Sequence, residues 1–206
     1  LTPAPYEDLL GRDFTFALRC LADEVPVAPP LARKLLERAV VELLNHFGPA
    51  QYVSYRSTLT GAFVKLVDTI HQITLSEILC AQPLTGSSEH ARRWLGIVRD
   101  AELTKQPELL ARLIELIRDP EGDVRANAAG ALVRVAEWPE VAARLVELTR
   151  DPEGGVRANA AGALERVAEW PEVAARLVEL IRDPEGDVRA NAAGALVRVA
   201  EWPEVA

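Results

Sequence analysis

PEVAARLVELIRDPEGDVRANAAGALVRVAEW, residues 171–202, is the stretch whose reading decides the fold. Residues 139–170 repeat it with changes only at Thr149, Gly155 and Glu165, and residues 107–138 repeat it with changes only at Leu109, Leu110 and Ile114. Pro107, Pro139, Pro171 and Pro203 open successive copies 32 residues apart. A fixed period of this size marks stacked supersecondary units, none of which can bury its apolar face alone. Packing by itself does not require such identity, because cores accept many apolar combinations of similar volume. Recent copying of one unit, or deliberate design, explains the sameness better.

Each copy reads as two helices. In residues 139–170 the first helix opens on Pro139, where a missing N–H costs nothing, with Glu140 at its positive end and Arg150 at its negative end. Val141, Ala142, Leu145, Leu148 and Thr149 fall on one stripe of helical period, the side that faces a core. Asp151-Pro152-Glu153-Gly154 then turns the chain, since proline disfavours helix before it and glycine frees a tight corner. The second helix is expected to start near Asp123, Gly155 or Asp187 in the three copies, each acceptable as an N-cap. Its apolar stripe is Val156, Ala160, Ala163, Leu164 and Val167. Ala158, Ala161, Gly162, Glu165 and Glu169 are assigned to the opposite face, where the small residues would let neighbouring backbones come close. The fold class is therefore all-α: an α-solenoid of stacked antiparallel helical hairpins, preceded by less regular capping helices.

The division of the chain follows from this. Residues 1–106 form an irregular helical region continuous with the solenoid, and residues 107–206 hold three repeats (107–138, 139–170, 171–202) plus the start of a fourth (203–206). In the first part helices are expected near 5–23, 29–46, 57–71, 74–81 and 87–101, with Pro26, Pro29 and Pro30, Gly48-Pro49, and Pro83 to Gly86 as breaks. The chain contains no Met, begins at Leu1 and stops four residues into another copy, so it is expected to be a fragment of a longer polypeptide.

Of 206 residues, 49% are hydrophobic, enough for a real core. Through Gln106 there are 12 acidic and 11 basic residues; from Pro107 onward there are 19 and 12. The repeats thus carry most of the net charge of −8. An acidic surface repels phosphate backbones and anionic lipids, which argues against nucleic-acid and membrane partners. Cys20 and Cys80 lack any Cys-x-x-Cys or histidine at ligand spacing, and read as reduced thiols. No apolar run approaches the roughly 18–20 residues that span a bilayer, and no secretory leader opens the chain, so the expected location is cytoplasmic.

Asp-Pro-x-x-x-Val-Arg-x-x-Ala-x-x-Ala-Leu, standing at 119–132, 151–164 and 183–196, resembles the HEAT repeat in its short bacterial form. The resemblance implies a polar ladder along the stack, formed by Asp119, Asp151 and Asp183 with Arg125, Arg157 and Arg189. It also places second helices on a concave face, with Asn127, Asn159 and Asn191 near its edge and Val133, Glu165 and Val197 near its centre. Residues 11–22 and 30–44 resemble the stretch that joins the ATPase core to the sensor repeats in bacterial NACHT-type (STAND) signalling NTPases. That resemblance implies a signalling parent, although no Gly-x-x-x-x-Gly-Lys-Ser/Thr phosphate loop occurs in this chain.

Catalytic and metal chemistry find little footing. His46, His71 and His90 share no spacing that suggests a metal site or an acid–base pair, and the repeated carboxylates read as a solvated helical face. Trp138, Trp170 and Trp202 could stack a ligand, but read better as staples on the helix that follows. Asn127, Asn159 and Asn191 could bind an extended peptide or hydrogen-bond between repeats. No catalytic residue, cofactor or metal is assigned. The expected function is a non-catalytic sensor or interaction module that binds a neutral or basic protein or peptide. Val133, Glu165 and Val197 would tune recognition, and the last hairpin would associate end to end. A scaffold of amplified or designed repeats without its own ligand is the alternative, and a bilin-lyase-like enzyme is a third, since such lyases carry similar short repeats.

Overall fold

A computed structural model describes residues 12–45, 53–66, 69–84, 88–100 and 103–200. The described residues form eleven α-helices and short 3-10 turns, with no strand among them. They divide into two compact units whose boundary lies between Leu109 and Leu110.

The first unit contains α1 (Arg12–Ala22), α2 (Pro29–Asn45), α3 (Val53–Leu66), α4 (Gln72–Cys80) and α5 (Ser88–Asp100), then a 3-10 turn at Leu103–Lys105. The start of the helix expected near 5–23 lies outside the described residues. Helix α3 differs most from expectation, running over 53–66 instead of 57–71. Thr69 closes the turn that follows it: its backbone N–H and its hydroxyl both donate to the Leu66 carbonyl, and the hydroxyl accepts from the His71 N–H. Ile70, inside the expected span, lies instead in this turn with its side chain exposed. Helix α2 is the hub of this unit, packing on α1, α3, α4 and α5. Phe14, Leu18, Leu36, Phe63 and Trp94 fill the core, and the Trp94 indole donates to the Leu79 carbonyl at 2.9 Å, which lets a polar atom be buried without loss.

The repeats supply α6 (Pro107–Leu116), α7 (Gly122–Ala131), α8 (Pro139–Leu148), α9 (Gly154–Ala163), α10 (Pro171–Leu180) and α11 (Gly186–Ala200). In the second unit α9 packs on both α7 and α11, while α8 contacts α10, so second helices and first helices form two layers. Both expected stripes of residues 139–170 are buried between the layers, including Thr149 and Val167. On the face assigned opposite the second-helix stripe, Glu165 is partly exposed and Glu169 exposed, while Ala158 and Ala161 are buried. Their small size lets α9 lie close to its neighbours on both sides, so one helix buries two flanks rather than one.

The N-caps of the second helices also stand two residues earlier than expected. Glu121 and Glu153, not Asp123 and Gly155, hold the N-cap position with extended backbone, and neither side chain makes a capping bond. Two residues upstream, the Asp119, Asp151 and Asp183 carboxylates accept the N–H groups of Glu121, Glu153 and Glu185, each at 2.9 Å. The turn aspartate orders the corner ahead of the helix. Gly155 therefore removes no cap from the middle copy.

Candidate functional site

The turn between the two helices of each hairpin is where neighbouring copies are joined. Proline after Asp119, Asp151 and Asp183 holds each aspartate extended, so its carboxylate can accept from the chain ahead and still face the preceding repeat. Arg125, on the first turns of α7, donates from Nε and Nη2 to both oxygens of Asp151 at 2.8 and 2.9 Å, and from Nη1 to the carbonyls of Asp119 and Pro120. Arg157 does the same one copy on, meeting Asp183 at 2.8 Å from Nε and from Nη2. Its Nη1 reaches the carbonyls of Asp151 and Pro152. The fork of a guanidinium matches a carboxylate edge, so each arginine binds its own corner and the next one at once. Arg189 binds the carbonyls of Asp183 and Pro184 in the same way.

These pairs are largely shielded: the Arg157 and Asp183 side chains are 12% and 9% exposed. Burial pushes the Asp151 carboxyl upward, but hydrogen bonds from Arg125 and from the Glu153 N–H, with the charges of Arg125 and Arg157, hold it below its ordinary value. The Asp183 carboxyl is held down chiefly by the Arg157 hydrogen bond, which outweighs its burial. Both guanidinium groups shift upward for the reciprocal reason.

Three further links between copies escaped sequence reasoning. The Glu153 carboxylate lies over Gly122, where a Cβ would collide with it, and the Glu185 stem lies over Gly154, with Cγ only 2.5 Å from where a Cβ would stand. Each turn glutamate thus covers the N-terminal end of the previous second helix, whose unpaired N–H groups and positive dipole end favour an acid. The Glu-Gly pair in the turn signals this, because a residue type and its absence of side chain recur together. Arg166 donates from Nε and Nη2 to Glu137 Oε1 at 3.1 and 2.6 Å. Arg176 donates from Nε to Thr149 Oγ1 at 2.7 Å and from Nη2 to the Thr149 carbonyl at 2.9 Å. The Thr149 hydroxyl in turn donates to the Val146 carbonyl. A buried threonine replaces isoleucine here and is fully partnered, which nothing in the apolar pattern reveals.

Along the outer flank of the second helices, Asn159 and Asn191 donate from Nδ2 to the Ala126 and Ala158 carbonyls of the preceding copy, at 3.0 and 2.8 Å. Asn127 instead donates to Asp123 in its own helix at 2.7 Å. Val133 and Glu165 stand partly exposed in the 3-10 turns Leu132–Val135 and Leu164–Val167, and Val197 stands exposed on α11. Trp138 and Trp170 occupy the N-cap positions of α8 and α10 with extended backbone; Trp138 is 37% exposed, and Trp202 lies outside the described residues. Among the described residues no group of three or more His, Cys, Asp or Glu side chains could hold a metal ion, and no helix is long and apolar enough to cross a membrane.

Paired helices stacked copy on copy, tied by an arginine–aspartate ladder at the corners, define an α-solenoid. A family model for HEAT repeats matches residues 88–165 and 145–206, more than half of the chain, and the chain belongs to the HEAT-repeat family. No curated protein matches it. HEAT repeats in general serve as protein-interaction scaffolds and are typically non-catalytic.

Proposed function

We propose that the chain is the interaction module of a larger signalling protein, recognising a neutral or basic protein or peptide on the outer flank of its second helices. The observation that carries this reading is the division of labour on that flank. Arg125, Arg157, Asn159 and Asn191 are engaged in bonds that hold neighbouring copies in register. Val133, Glu165 and Val197 share one position of the repeat, stay accessible, and differ in chemistry where almost everything else is copied. An otherwise copied surface gains specificity at the accessible positions that change, and Gly155, standing where the other two copies have Asp, is a second such position. The acidic balance of the repeats favours a basic over an acidic partner. The likeness of residues 11–22 and 30–44 to the connector of NACHT-type NTPases supports a signalling parent.

A scaffold without its own ligand is the second reading, favoured by the near-identity of the copies. Site-specific photo-crosslinking separates the two. A crosslinking amino acid is placed at Glu165 and, as control, at Ala175, which is exposed on first helix α10. A discrete adduct from position 165 that is absent from position 175 supports recognition through the second helices. Equal labelling from both positions, or none from either, sinks it.

A further inference from the structure

The corner that leads from one copy into the next carries a tryptophan where helix formation asks for something else. Trp138 and Trp170 hold the N-cap positions of α8 and α10, and neither side chain makes a capping bond. An N-cap calls for a side-chain oxygen, and a hydrophobic staple sits one residue earlier, so the indole serves neither purpose here. Trp138 is exposed and Trp170 half-buried, and neither indole N–H has an acceptor among the described residues. Gln106 stands at the same position ahead of the first copy, so α6 forms without an indole before it.

Around each indole the surface is apolar and acidic. Pro139 and Pro171 follow, both exposed, and Glu137, Glu140, Glu169 and Glu172 stand exposed one residue before and two residues after each tryptophan. Four residues ahead of the tryptophans lie Arg134 and Arg166, and Arg166 is tied to Glu137 across the two copies. The carboxylates outnumber the guanidinium groups, which leaves the edge negative. Helices α8 and α10 pack side by side, and at ordinary helix spacing the two indoles recur about 8–10 Å apart. That interval selects among peptide conformations. Same-face residues recur at about 7 Å along a strand and about 5 Å along an α-helix, but at about 9 Å along a polyproline II helix, which has three residues per turn.

We propose that this edge binds a proline-rich, arginine-bearing segment of a partner protein in polyproline II form. Prolines three residues apart rest on Trp138 and Trp170, the indole N–H groups donate to peptide carbonyls, and the arginines turn toward the glutamates. A preformed polyproline helix docks on aromatic ledges at little entropic cost, and an indole face also attracts a guanidinium. None of these contacts involves Val133, Glu165 or Val197, so the proposal stands apart from recognition through the second helices.

The test is fluorescence anisotropy on the full chain at low salt with dye-labelled peptides of repeating Pro-Pro-Arg, Pro-Pro-Glu and Gly-Gly-Arg. The first is expected to bind about tenfold or more tightly than either of the others. Trp138→Gln and Trp170→Gln are each expected to weaken it about tenfold while helical circular dichroism is kept, glutamine being the residue that precedes Pro107. Absence of binding by the Pro-Pro-Arg peptide, equal binding by Gly-Gly-Arg, which would mark charge alone, or equal binding by Pro-Pro-Glu overturns the proposal. These comparisons use the unaltered chain, so they decide even where a variant is unstable. Affinity unchanged in both folded variants overturns it as well.

Discussion

Residues 139–170 and 171–202 are nearly the same sequence in two settings, one hairpin followed by another copy and the other not followed by one among the described residues. Thr149 is buried, while Ile181 at the same position is 43% exposed; Ala161 is buried, while Ala193 is exposed. Val146 is half-buried, while Val178 is 56% exposed. Arg157 grips the next aspartate with both arms, and Arg189 binds only its own corner. Even the backbone responds: Leu132–Val135 closes α7 as a 3-10 turn, whereas the identical Leu-Val-Arg-Val at 196–199 continues as α-helix. Sequence sets what a hairpin can bury, and the following copy decides whether it does. In a stack of this kind stability resides largely in the interfaces.

The sharpest way to break the comparison is to remove the same arginine from both settings. Arg157→Ala strips a shielded carboxylate of its bidentate partner and leaves two corner carbonyls without a donor, so a loss of about 2–3 kcal/mol is expected. Arg189→Ala removes only corner bonds, and about 1 kcal/mol or less is expected. Urea unfolding of the two variants measures the gap, and equal losses would show that the ladder adds nothing beyond each corner. Acid gives an independent reading. Asp183 has a folded-state pKa below its unfolded value, so its contribution is fully present above about pH 4 and disappears as pH falls through the lowered value. Asp183→Asn should therefore flatten the loss of stability below about pH 4 while lowering stability at neutral pH.

A smaller effect tests the covered helix ends. At Gly154 an alanine Cβ would strike the Glu185 stem, at Gly122 it would meet only the mobile end of Glu153, and at Gly186 it would meet nothing closer than an Arg189 nitrogen at 3.7 Å. Gly154→Ala is expected to cost about 1–2 kcal/mol, through displacement of a close-packed stem. Gly122→Ala should cost less, and Gly186→Ala should be neutral or gain a few tenths of a kcal/mol from helix propensity. Thermal melts of the three variants check that order; a penalty at Gly186 equal to that at Gly154 would mean that the turn needs glycine for its own backbone.

How much of this was legible beforehand depends on what kind of signal each feature leaves. Period and stripe declared the hairpins, because Val141, Leu145 and Leu148, like Val156, Ala160 and Val167, recur at helical spacing whatever lies next to them. The second flank of α9 was legible through residue size: Ala158 and Ala161 are small enough for a neighbouring helix to close over them, and both are buried. The caps were misplaced by two residues because Asp123 and Gly155 are favoured N-cap types whereas Glu121 and Glu153, which hold the position, are not, and the aspartate that orders the corner lies upstream of them. The bond from Arg176 to Thr149, unlike the ladder that the Asp-Pro-x-x-x-Val-Arg motif implied, carries no local pattern at all. In the first unit the breaks at proline were informative, but α3 was bounded poorly, since no proline or glycine stands between Leu66 and the Thr69 turn that follows it.

One feature of the repeat looks like a packing requirement and is not. Gly130, Gly162 and Gly194 sit inside α7, α9 and α11 at the same position, a placement that weakens each helix by about 1 kcal/mol relative to alanine. A Cβ at Gly130 or Gly194 would meet nothing within 4 Å, and at Gly162 it would meet Asn191 Nδ2 at 3.6 Å, an ordinary contact. The second helices therefore approach each other through Ala158 and Ala161, not through this glycine. Gly162→Ala is expected to gain about 0.5–1 kcal/mol in urea unfolding, and Gly194→Ala to gain the same amount, because the following copy's approach to Gly162, Asn191 Nδ2 at 3.6 Å from a Cβ, is an ordinary contact that needs no adjustment. A gain at Gly194 with a loss at Gly162 would show instead that close approach between second helices is the reason for the glycine, and would add this position to those whose burial the following copy controls.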